Sequence, residues 1–183
     1  MSLSNKKILA IIPAREGSKG LKDKNIKKFA GKPLIYWSLR SARKSKYINK
    51  LIVSTDSKKI QSYCKSMKIE VPFLRPKKIS KDNSKSIEFI LHTLKFLKRK
   101  NESFDYVILL EPTSPLTTNE DIDKALLKLH NKRDKADSIV GISENISHHP
   151  SFNVKVNKSG FIKPLEKKLY NLRRQNLTKL FFL

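Results

Sequence analysis

The sequence is poor in the residues that build disulfide frameworks, metal clusters and membrane spans. Its 183 residues include one cysteine, Cys64, which excludes an intramolecular disulfide and any site with several cysteine ligands. No run approaches the roughly 18 apolar residues of a membrane helix, and the apolar run near the N-terminus is too short for a signal peptide. The length fits one domain of ordinary size. These features predict a protein of the reducing cytoplasm.

Acidic residues are also scarce, with 16 Asp and Glu against 40 Lys and Arg, for a formal net charge of +24. Lysine outnumbers arginine 32 to 8 and is spread along the whole chain, whereas base readout and bidentate phosphate recognition favour arginine. We therefore expect a solvated basic surface that helps to attract polyanionic ligands. A non-catalytic basic module that binds nucleic acid is the alternative from another functional class.

Short apolar runs alternate with stretches of helical periodicity, which predicts a βαβ architecture and a mainly parallel sheet. The expected strands cover residues 7–13, 51–55, 69–73, 106–110 and 138–142. The run 106–110 is the most apolar, so we expect it at the centre of the sheet. A proline within 69–73 predicts an edge strand there.

Four helices are predicted between these strands. The first opens at residues 31–33, because proline is favoured in a first helical turn, and Asp56 is expected to cap the second. The third carries an apolar stripe with helical spacing, formed by Ile87, Ile90, Leu91, Leu94 and Leu97. Thr118 and Asp121 have the spacing of a capping box at the start of the fourth.

The loop after the first strand is the most informative segment. Residues 13–25 read PAREGSKGLKDKN, with two glycines, a serine, an asparagine and four basic side chains. Backbone amides and cations suit a triphosphate, because charge-assisted hydrogen bonds to phosphate are strong. The segment matches neither G-x-x-x-x-G-K-[ST] nor G-x-G-x-x-G, but it follows a strand, where open α/β sheets bind ligands. A solvated, lysine-rich turn is the alternative interpretation.

Five motifs in order resemble the CMP-sialic acid synthetases, the acylneuraminate cytidylyltransferases. They are the loop 13–25, Leu74-Arg75-Pro76, the stretch 80–86, the run EPTSPL at 111–116, and His148-His149-Pro150. The resemblance implies a Rossmann-like αβα sandwich of the nucleotide-diphospho-sugar transferase type. It also implies an enzyme that joins CTP to a nonulosonic, sialic-type acid and releases pyrophosphate, with Mg²⁺ as cofactor. In such enzymes the anomeric hydroxyl attacks the α-phosphorus directly.

The resemblance also implies roles for individual residues, with Arg15 and Lys24 as the catalytic pair that holds the phosphates. The implied nucleotide-binding residues are Ala14, Arg15, Gly17, Ser18, Lys19, Gly20, Lys24, Asn25, Arg75, Asp82 and Ser86. The implied sugar-binding residues are Glu111, Thr113, Ser114 and Arg174. No residue of the chain is assigned as a metal ligand. Helix capping is the alternative for Asp82 and Ser86, and Glu111 departs from a family pattern that has glutamine there.

By the same resemblance, residues 1–143 form a nucleotide-binding core and 144–183 an incomplete dimerisation and sugar-binding arm. His148 and His149 are expected to be structural, and residues 157–160 read as a hairpin turn. A homodimer is implied in which Arg174 serves the neighbouring subunit, with neither nucleic acid nor membrane as partner.

The family continues past Leu183 with an aspartate pair that holds the catalytic metal. The sequence ends before that segment, so impaired turnover is expected of this chain. Within enzymes, the alternative substrate is another sugar, such as 3-deoxy-manno-octulosonate or a sugar phosphate.

Overall fold

The computed structural model describes residues 3–17, 20–144, 153–164 and 180–182, and the chain divides into two compact units, 1–137 and 138–183. The strands are β1 (Ile8–Pro13), β2 (Lys28–Phe29), β3 (Lys32–Pro33), β4 (Lys50–Ser54), β5 (Tyr106–Leu109), β6 (Ser143–Glu144), β7 (Val154–Val156), β8 (Ile162–Pro164) and β9 (Phe181–Phe182). The α-helices are α1 (Leu34–Lys44), α2 (Lys58–Ser66), α3 (Ser86–Lys98) and α4 (Asn119–Asn131).

The first unit is built on a parallel sheet with the order β4-β1-β5. Side chains of β1 alternate between its two faces, as the period of a strand requires. Ile8, Ala10 and Ile12 pack in the core cluster that contains α1, α2 and α4 residues, whereas Leu9 and Ile11 pack with residues of α3. All five are fully buried, and burying an aliphatic side chain of this size stabilises a fold by about 1.5–3 kcal/mol. The predicted α/β sandwich with a parallel sheet is thus confirmed.

Two of the predicted strands differ from expectation. The run 106–110 differs in its position, whereas the run 69–73 lies beside the outer strand β4, as an edge strand should, and differs only in its extent. The central strand is β1, while β5 has β1 as its one strand partner within the described residues, and Val107 is 40% exposed. Apolar content did not separate the two, because both strands are rich in large aliphatic residues. The run 69–73 is reduced to parallel bridges that join Ile52 to Glu70 and Thr55 to Leu74, since Pro72 lacks the N–H that a ladder needs.

The predicted strand 138–142 is also wrong. The structure has the two-residue strand β6 just after it, paired with β9. Residues 140–144 are exposed, so this apolar run has no buried face of the kind that defines an interior strand.

Helix α1 begins one residue later than predicted, at Leu34, because Lys32 and Pro33 pair with β2. The tight turn between β2 and β3 places Ala30 and Gly31 at φ values of 48° and 79°. Glycine accepts that left-handed conformation without steric cost.

Asp56 does not cap α2, so that prediction is wrong. Ser57 stands at the N-cap position, and the Oδ1 atom of Asp56 instead accepts the backbone N–H of Glu16 at 2.9 Å. The carboxylate therefore anchors the loop after β1 rather than a helix start.

Helix α3 is present as predicted, but its buried face is rotated from the predicted stripe. Phe89, Thr93 and Leu97 are buried, whereas Ile87 is 51% and Leu91 46% exposed. Both sets satisfy helical spacing, so periodicity alone did not choose between them. This rotation turns Phe89 inward, next to the candidate site.

The predicted capping box of α4 is confirmed. Thr118 Oγ1 accepts the N–H of Asp121 at 3.2 Å, and the carboxylate of Asp121 accepts the N–H of Thr118 at 3.0 Å. Two otherwise orphaned donors at the helix start are thereby satisfied.

In the second unit, β7 and β8 form an antiparallel hairpin. Asn157 Oδ1 accepts the N–H groups of Ser159 and Phe161 at 3.0 and 2.9 Å, and Gly160 has a φ of 82°. The predicted hairpin turn is confirmed, and the prediction for His148 and His149 lies outside the described residues. Across the described part of the chain, no helix has the length and apolar character to cross a membrane.

Candidate active site

A cleft of about 780 Å³ opens beyond the carboxyl ends of β1 and β5. Its walls come from four segments: the loop after β1, the residue Arg75 after the bridged run, the stretch 79–89, and residues 111–113 after β5. Ligands of open α/β sheets bind in this position, because the connections there diverge and leave a crevice. The fold therefore brings four of the five motifs of the sequence to one place.

The first wall is a loop that is fastened at its start and closed by a side-chain amide. Ala14 is fully buried, and its N–H donates to the carbonyl of Ser54 at 3.0 Å. Asn25 is 6% exposed and donates from Nδ2 to the carbonyl of Arg15 at 3.1 Å. This bond ties the ends of the loop together, so that Arg15 and Lys24 both line the cleft.

Arg75 is the most unusual side chain of the cleft, since it is 5% exposed although it carries a charge. Its backbone N–H donates to the carbonyl of Thr55 at 2.7 Å, and its guanidinium lies 5.2 Å from the ring centre of Phe89. The Nε and Nη2 atoms are buried and have no hydrogen-bond partner among the residues that the structure describes. A buried donor without a partner costs about 1–3 kcal/mol, so oxygen atoms of a ligand would remove that cost.

Burial lowers the pKa of Arg75, and the neighbouring charge of Arg15 lowers it further, whereas Asp56 and Glu111 raise it. The two arginines therefore repel each other across the cleft in the absence of an anion. A polyanion placed between the two arginines would attract both of them and so offset their mutual repulsion.

The third wall brings a carboxylate against the first. Asp82 forms an ion pair with Nη1 of Arg15, and the two side chains are 38% and 32% exposed. Helix α3 begins at Ser86 with Lys85 as its N-cap residue, and the N–H of Lys85 donates to Glu88 at 2.9 Å. Capping of α3 by Asp82 or Ser86 is thus wrong, and both side chains face the cleft instead.

The fourth wall is the turn that follows β5. The carbonyl of Glu111 accepts hydrogen bonds from Ser38 Oγ and from the N–H of Ser114, both at 3.1 Å. Desolvation in the cleft raises the pKa of Glu111, and the charges of Lys24 and Arg75 oppose that rise. The carboxylate therefore lies close enough to both cations to be partly neutralised by them.

Most of the residues that the sequence assigned to the site meet in the cleft. These are Arg15, Gly20, Lys24, Asn25, Arg75, Asp82, Ser86, Glu111 and Thr113. The Ala14 side chain lies in the core, and Gly17 and Ser114 are exposed outside the lining. Ser18, Lys19 and Arg174 lie outside the described residues. The positions are observed, while the roles assigned to them stay predictions.

Sequence reasoning missed several lining residues. They are Pro13, Leu21, Ile79, Ser80, Lys81, Ser84, Phe89 and Pro112. Phe89 matters most, because its ring is the surface on which the Arg75 guanidinium lies, and cation–π contacts of this kind are attractive. The sequence does contain a pattern that would place Phe89 on the buried face of α3. Phe89, Thr93 and Leu97 have a helical spacing, as the predicted stripe does.

The described residues contain no group of three His, Cys, Asp or Glu side chains that is able to hold a metal ion. Asp82 and Glu111 are the carboxylates in the cleft lining, and Asp82 is engaged with Arg15. This donor set does not fit a resident divalent metal on its own.

A family model described as "Cytidylyltransferase" matches residues 9–179 of the chain. The chain is 38% identical over 159 residues to CMP-N,N'-diacetyllegionaminic acid synthase of Legionella pneumophila, a match that spans 86% of this chain and 67% of that protein. It is 38% identical over 145 residues to N-acylneuraminate cytidylyltransferase of Escherichia coli, spanning 79% of this chain and 33% of that protein. Pseudaminic acid cytidylyltransferase of Campylobacter jejuni is 29% identical over 175 residues, or 96% and 74% of the two chains.

Solved structures share the fold at lower identity. A CMP:2-keto-3-deoxy-manno-octonic acid synthetase complexed with CTP superposes with a TM-score of 0.63 at 18% identity, over 96% of this chain and 70% of that one. A 4-diphosphocytidyl-2C-methyl-D-erythritol synthase from Anaerococcus prevotii gives a TM-score of 0.54 at 17% identity, over 98% and 71% of the chains. The α/β architecture of the chain is therefore that of known nucleotidyltransferases.

Proposed function

Because the chain belongs to the cytidylyltransferase family, we propose that it joins CTP to a nonulosonic, sialic-type acid and releases pyrophosphate. The observation that carries the proposal is the guanidinium of Arg75, which is buried in the cleft with two donor nitrogens that lack partners within the described part of the chain. Arg15 and Lys24 line the same space. Lys81 is a fourth cation of the lining. Several cations around one crevice suit a triphosphate, because each phosphate supplies charged acceptor oxygens.

In the proposed reaction the anomeric hydroxyl of the sugar attacks the α-phosphorus of CTP. A new oxygen–phosphorus bond forms as the bond from the α-phosphorus to its bridging oxygen breaks. The electron pair of the broken bond leaves with pyrophosphate, and the proton of the attacking hydroxyl passes to water. We assign Arg15, Lys24 and Arg75 to the phosphate oxygens, where they hold the chain of phosphates in line and stabilise the growing charge. We assign Gly20 and Asn25 to shaping the loop, and Ser86, which lines the cleft from the stretch 79–89, to a contact with the nucleotide.

The acceptor is proposed as a carboxylated nine-carbon sugar, because the relatives that match at 29–38% identity are named for legionaminic, acylneuraminic and pseudaminic acids. Glu111, Thr113 and Ser114 are assigned to its side of the cleft. A carboxylate at position 111 is compatible with an acidic substrate, because Lys24 and Arg75 counter its charge. The match to relatives named for three different sugars supports the class of acceptor rather than one member of it.

We propose Mg²⁺ as the cofactor, bound mainly through the phosphates of CTP, which is the usual way in which this ion enters phosphate sites. When bound, it would supply further neutralisation of phosphate charge. A homodimer in which Arg174 of residues 144–183 reaches the neighbouring site, and a cytoplasmic location, are further proposals that follow from the family.

The test is a pyrophosphate-release assay with CTP, Mg²⁺ and a panel of nonulosonic acids, next to calorimetric binding of CTP. We expect CTP to bind with a preference over ATP, GTP and UTP, and at least one acceptor to release pyrophosphate. Omission of the acceptor is the control, because simple hydrolysis of CTP to CMP would also release pyrophosphate. Failure to bind any nucleoside triphosphate would contradict the proposal.

A further inference from the structure

The ion pair between Arg15 and Asp82 engages one of the cations that line the cleft. Asp82 lies in a turn between the 3-10 helix Lys77–Ile79 and α3. The N–H of Lys81 donates to Ser84 Oγ, and the N–H of Ser84 donates back to the carbonyl of Lys81, at 3.1 and 3.2 Å. These two bonds close the turn on itself and present the carboxylate of Asp82 to Arg15.

We propose that Asp82 is an internal competitor for the phosphate site: its carboxylate holds the Arg15 guanidinium until a polyphosphate displaces it. With CTP as the ligand, the inference rests on the proposed function. It differs from the role that the family resemblance implied for Asp82, because a competitor weakens nucleotide binding whereas a binding residue strengthens it.

The strength of the ion pair suits displacement. Both side chains are about one-third exposed, and pairs of this kind contribute little net stability because water screens them. A triphosphate has several charges, so it reaches Lys24 and Arg75 at the same time as it replaces the carboxylate on Arg15. A ligand with a single charge gains less, since it exchanges one charge-assisted contact on Arg15 for another of the same type.

Once a polyphosphate lies on Arg15, its charge repels the carboxylate at close range. The turn 80–84 must then carry Asp82 away from the position that it holds beside Arg15 in the unliganded cleft. Asp82 therefore sets how tightly the cleft holds polyphosphates, and it keeps weaker anions off Arg15 in their absence.

The test is a double-mutant cycle on the full chain with Asp82→Asn, Arg15→Ala and the combination of both. Binding of CTP and of inorganic tripolyphosphate is measured by calorimetry at one fixed ionic strength. With Arg15 present, Asp82→Asn is expected to tighten binding by about two- to five-fold, the range that corresponds to a partly exposed ion pair. In the Arg15→Ala background the same substitution is expected to change nothing. Asp134→Asn removes an equal charge from an exposed site and is the matched control, expected to be neutral.

Two results would overturn the inference. Weaker binding by Asp82→Asn would mean that the carboxylate contacts the ligand directly, and equal tightening without Arg15 would mean a general charge effect. The tripolyphosphate arm separates the inference from the proposed function. If Asp82→Asn tightens tripolyphosphate in an Arg15-dependent manner while CTP does not bind, the competitor role stands and the cytidylyltransferase proposal fails. Thermal unfolding of each variant shows that the folds are comparable.

Discussion

The two arginines of the cleft differ in what they do before a ligand arrives. Arg75 is 5% exposed, lies over Phe89, and has two buried nitrogens with no partner in residues 3–17, 20–144, 153–164 and 180–182. The Arg15 side chain is 32% exposed and is already paired with Asp82. The first is preorganised, because the cost of burying its charge is met during folding. The second must exchange one partner for another, so its contribution to binding is a difference between two contacts.

The comparison shows that the charge of an arginine and the availability of its donor groups to a ligand are different properties. Both residues carry one positive charge and both line the same cleft, so a count of charges would assign them equal weight. Under the proposed function, we expect Arg75 to contribute most of its interaction to the ligand and Arg15 only a part. Substitutions test that ranking, and the largest effect is expected at Arg75.

Arg75→Ala is expected to weaken CTP binding on the order of 100-fold, because hydrogen bonds from a buried charged donor contribute about 1.5–3 kcal/mol. Arg75→Lys is expected to recover little, since an ammonium group lacks the planar fork of donors. Calorimetry of the two variants against the parent chain measures both effects. An alanine variant that binds CTP with the affinity of the parent chain would show that Arg75 does not contribute to CTP binding.

Arg15→Ala is expected to weaken CTP binding by roughly ten-fold, the lower end of the range for a charged hydrogen bond. The effect is smaller than that of Arg75→Ala because on Arg15 the phosphate replaces an existing partner, Asp82, whereas on Arg75 it meets buried donors that lack one among the described residues. The same calorimetric series measures it. An Arg15 effect larger than the Arg75 effect would reverse the ranking of the two residues.

Glu111→Gln tests the carboxylate that faces Arg75 and Lys24. Desolvation raises the folded-state pKa of Glu111 above its ordinary value. The folded state thus favours the neutral acid, and stability declines as pH rises through the raised pKa. Removal of the charge should therefore raise the melting temperature at pH 7–8 and leave it unchanged near pH 3, where the carboxyl is protonated in both states. Differential scanning calorimetry across this pH range measures the difference, and an equal shift at both pH values would contradict desolvation of the carboxylate as the cause.

The smallest effect is expected at Cys64, where the reactivity of the thiol should be the same in the parent and in the arginine variants. It is fully buried, and burial raises the pKa of its thiol to about 12. The native protein is expected to react with a disulfide reagent at pH 8 only through unfolding, because the thiolate is the reacting form. The variants at Arg15 and Arg75 should react as slowly as the parent. Rapid labelling of either variant would show that its loss of binding came from the fold.

The sequence predicted which segments come together at the cleft because the signals for them are local. The basic loop 13–25 follows a strand, and Arg75 follows another apolar run, so the α/β pattern alone brings them to one edge of a sheet. The alternation of apolar runs and helical stretches likewise predicted the parallel sheet and the starts of α3 and α4 within about a residue or two. Each of these inferences needed only neighbours in the chain.

What the sequence did not predict depends on contacts between distant residues. Arg15 and Asp82 are far apart in the chain, and their pairing appears only when β1 and the turn before α3 meet. The inward turn of Phe89 depends on which side of α3 faces the sheet, and two stripes of equal spacing compete for that side. The central position of β1 depends on which strands pair with it, and the apolar content of a strand does not predict its neighbours.

The central claim is that the buried guanidinium of Arg75 binds the phosphates of CTP. Side-chain NMR of arginine tests this claim most directly. Because the Nε–H of Arg75 is buried, its signal should be resolved in the free protein and is assigned by its loss in Arg75→Lys. On titration with CTP, that signal should shift with the binding isotherm, while the signals of Arg40 and Arg43 on α1 stay in place. Saturation with CTP that leaves the Arg75 signal unmoved would contradict the account.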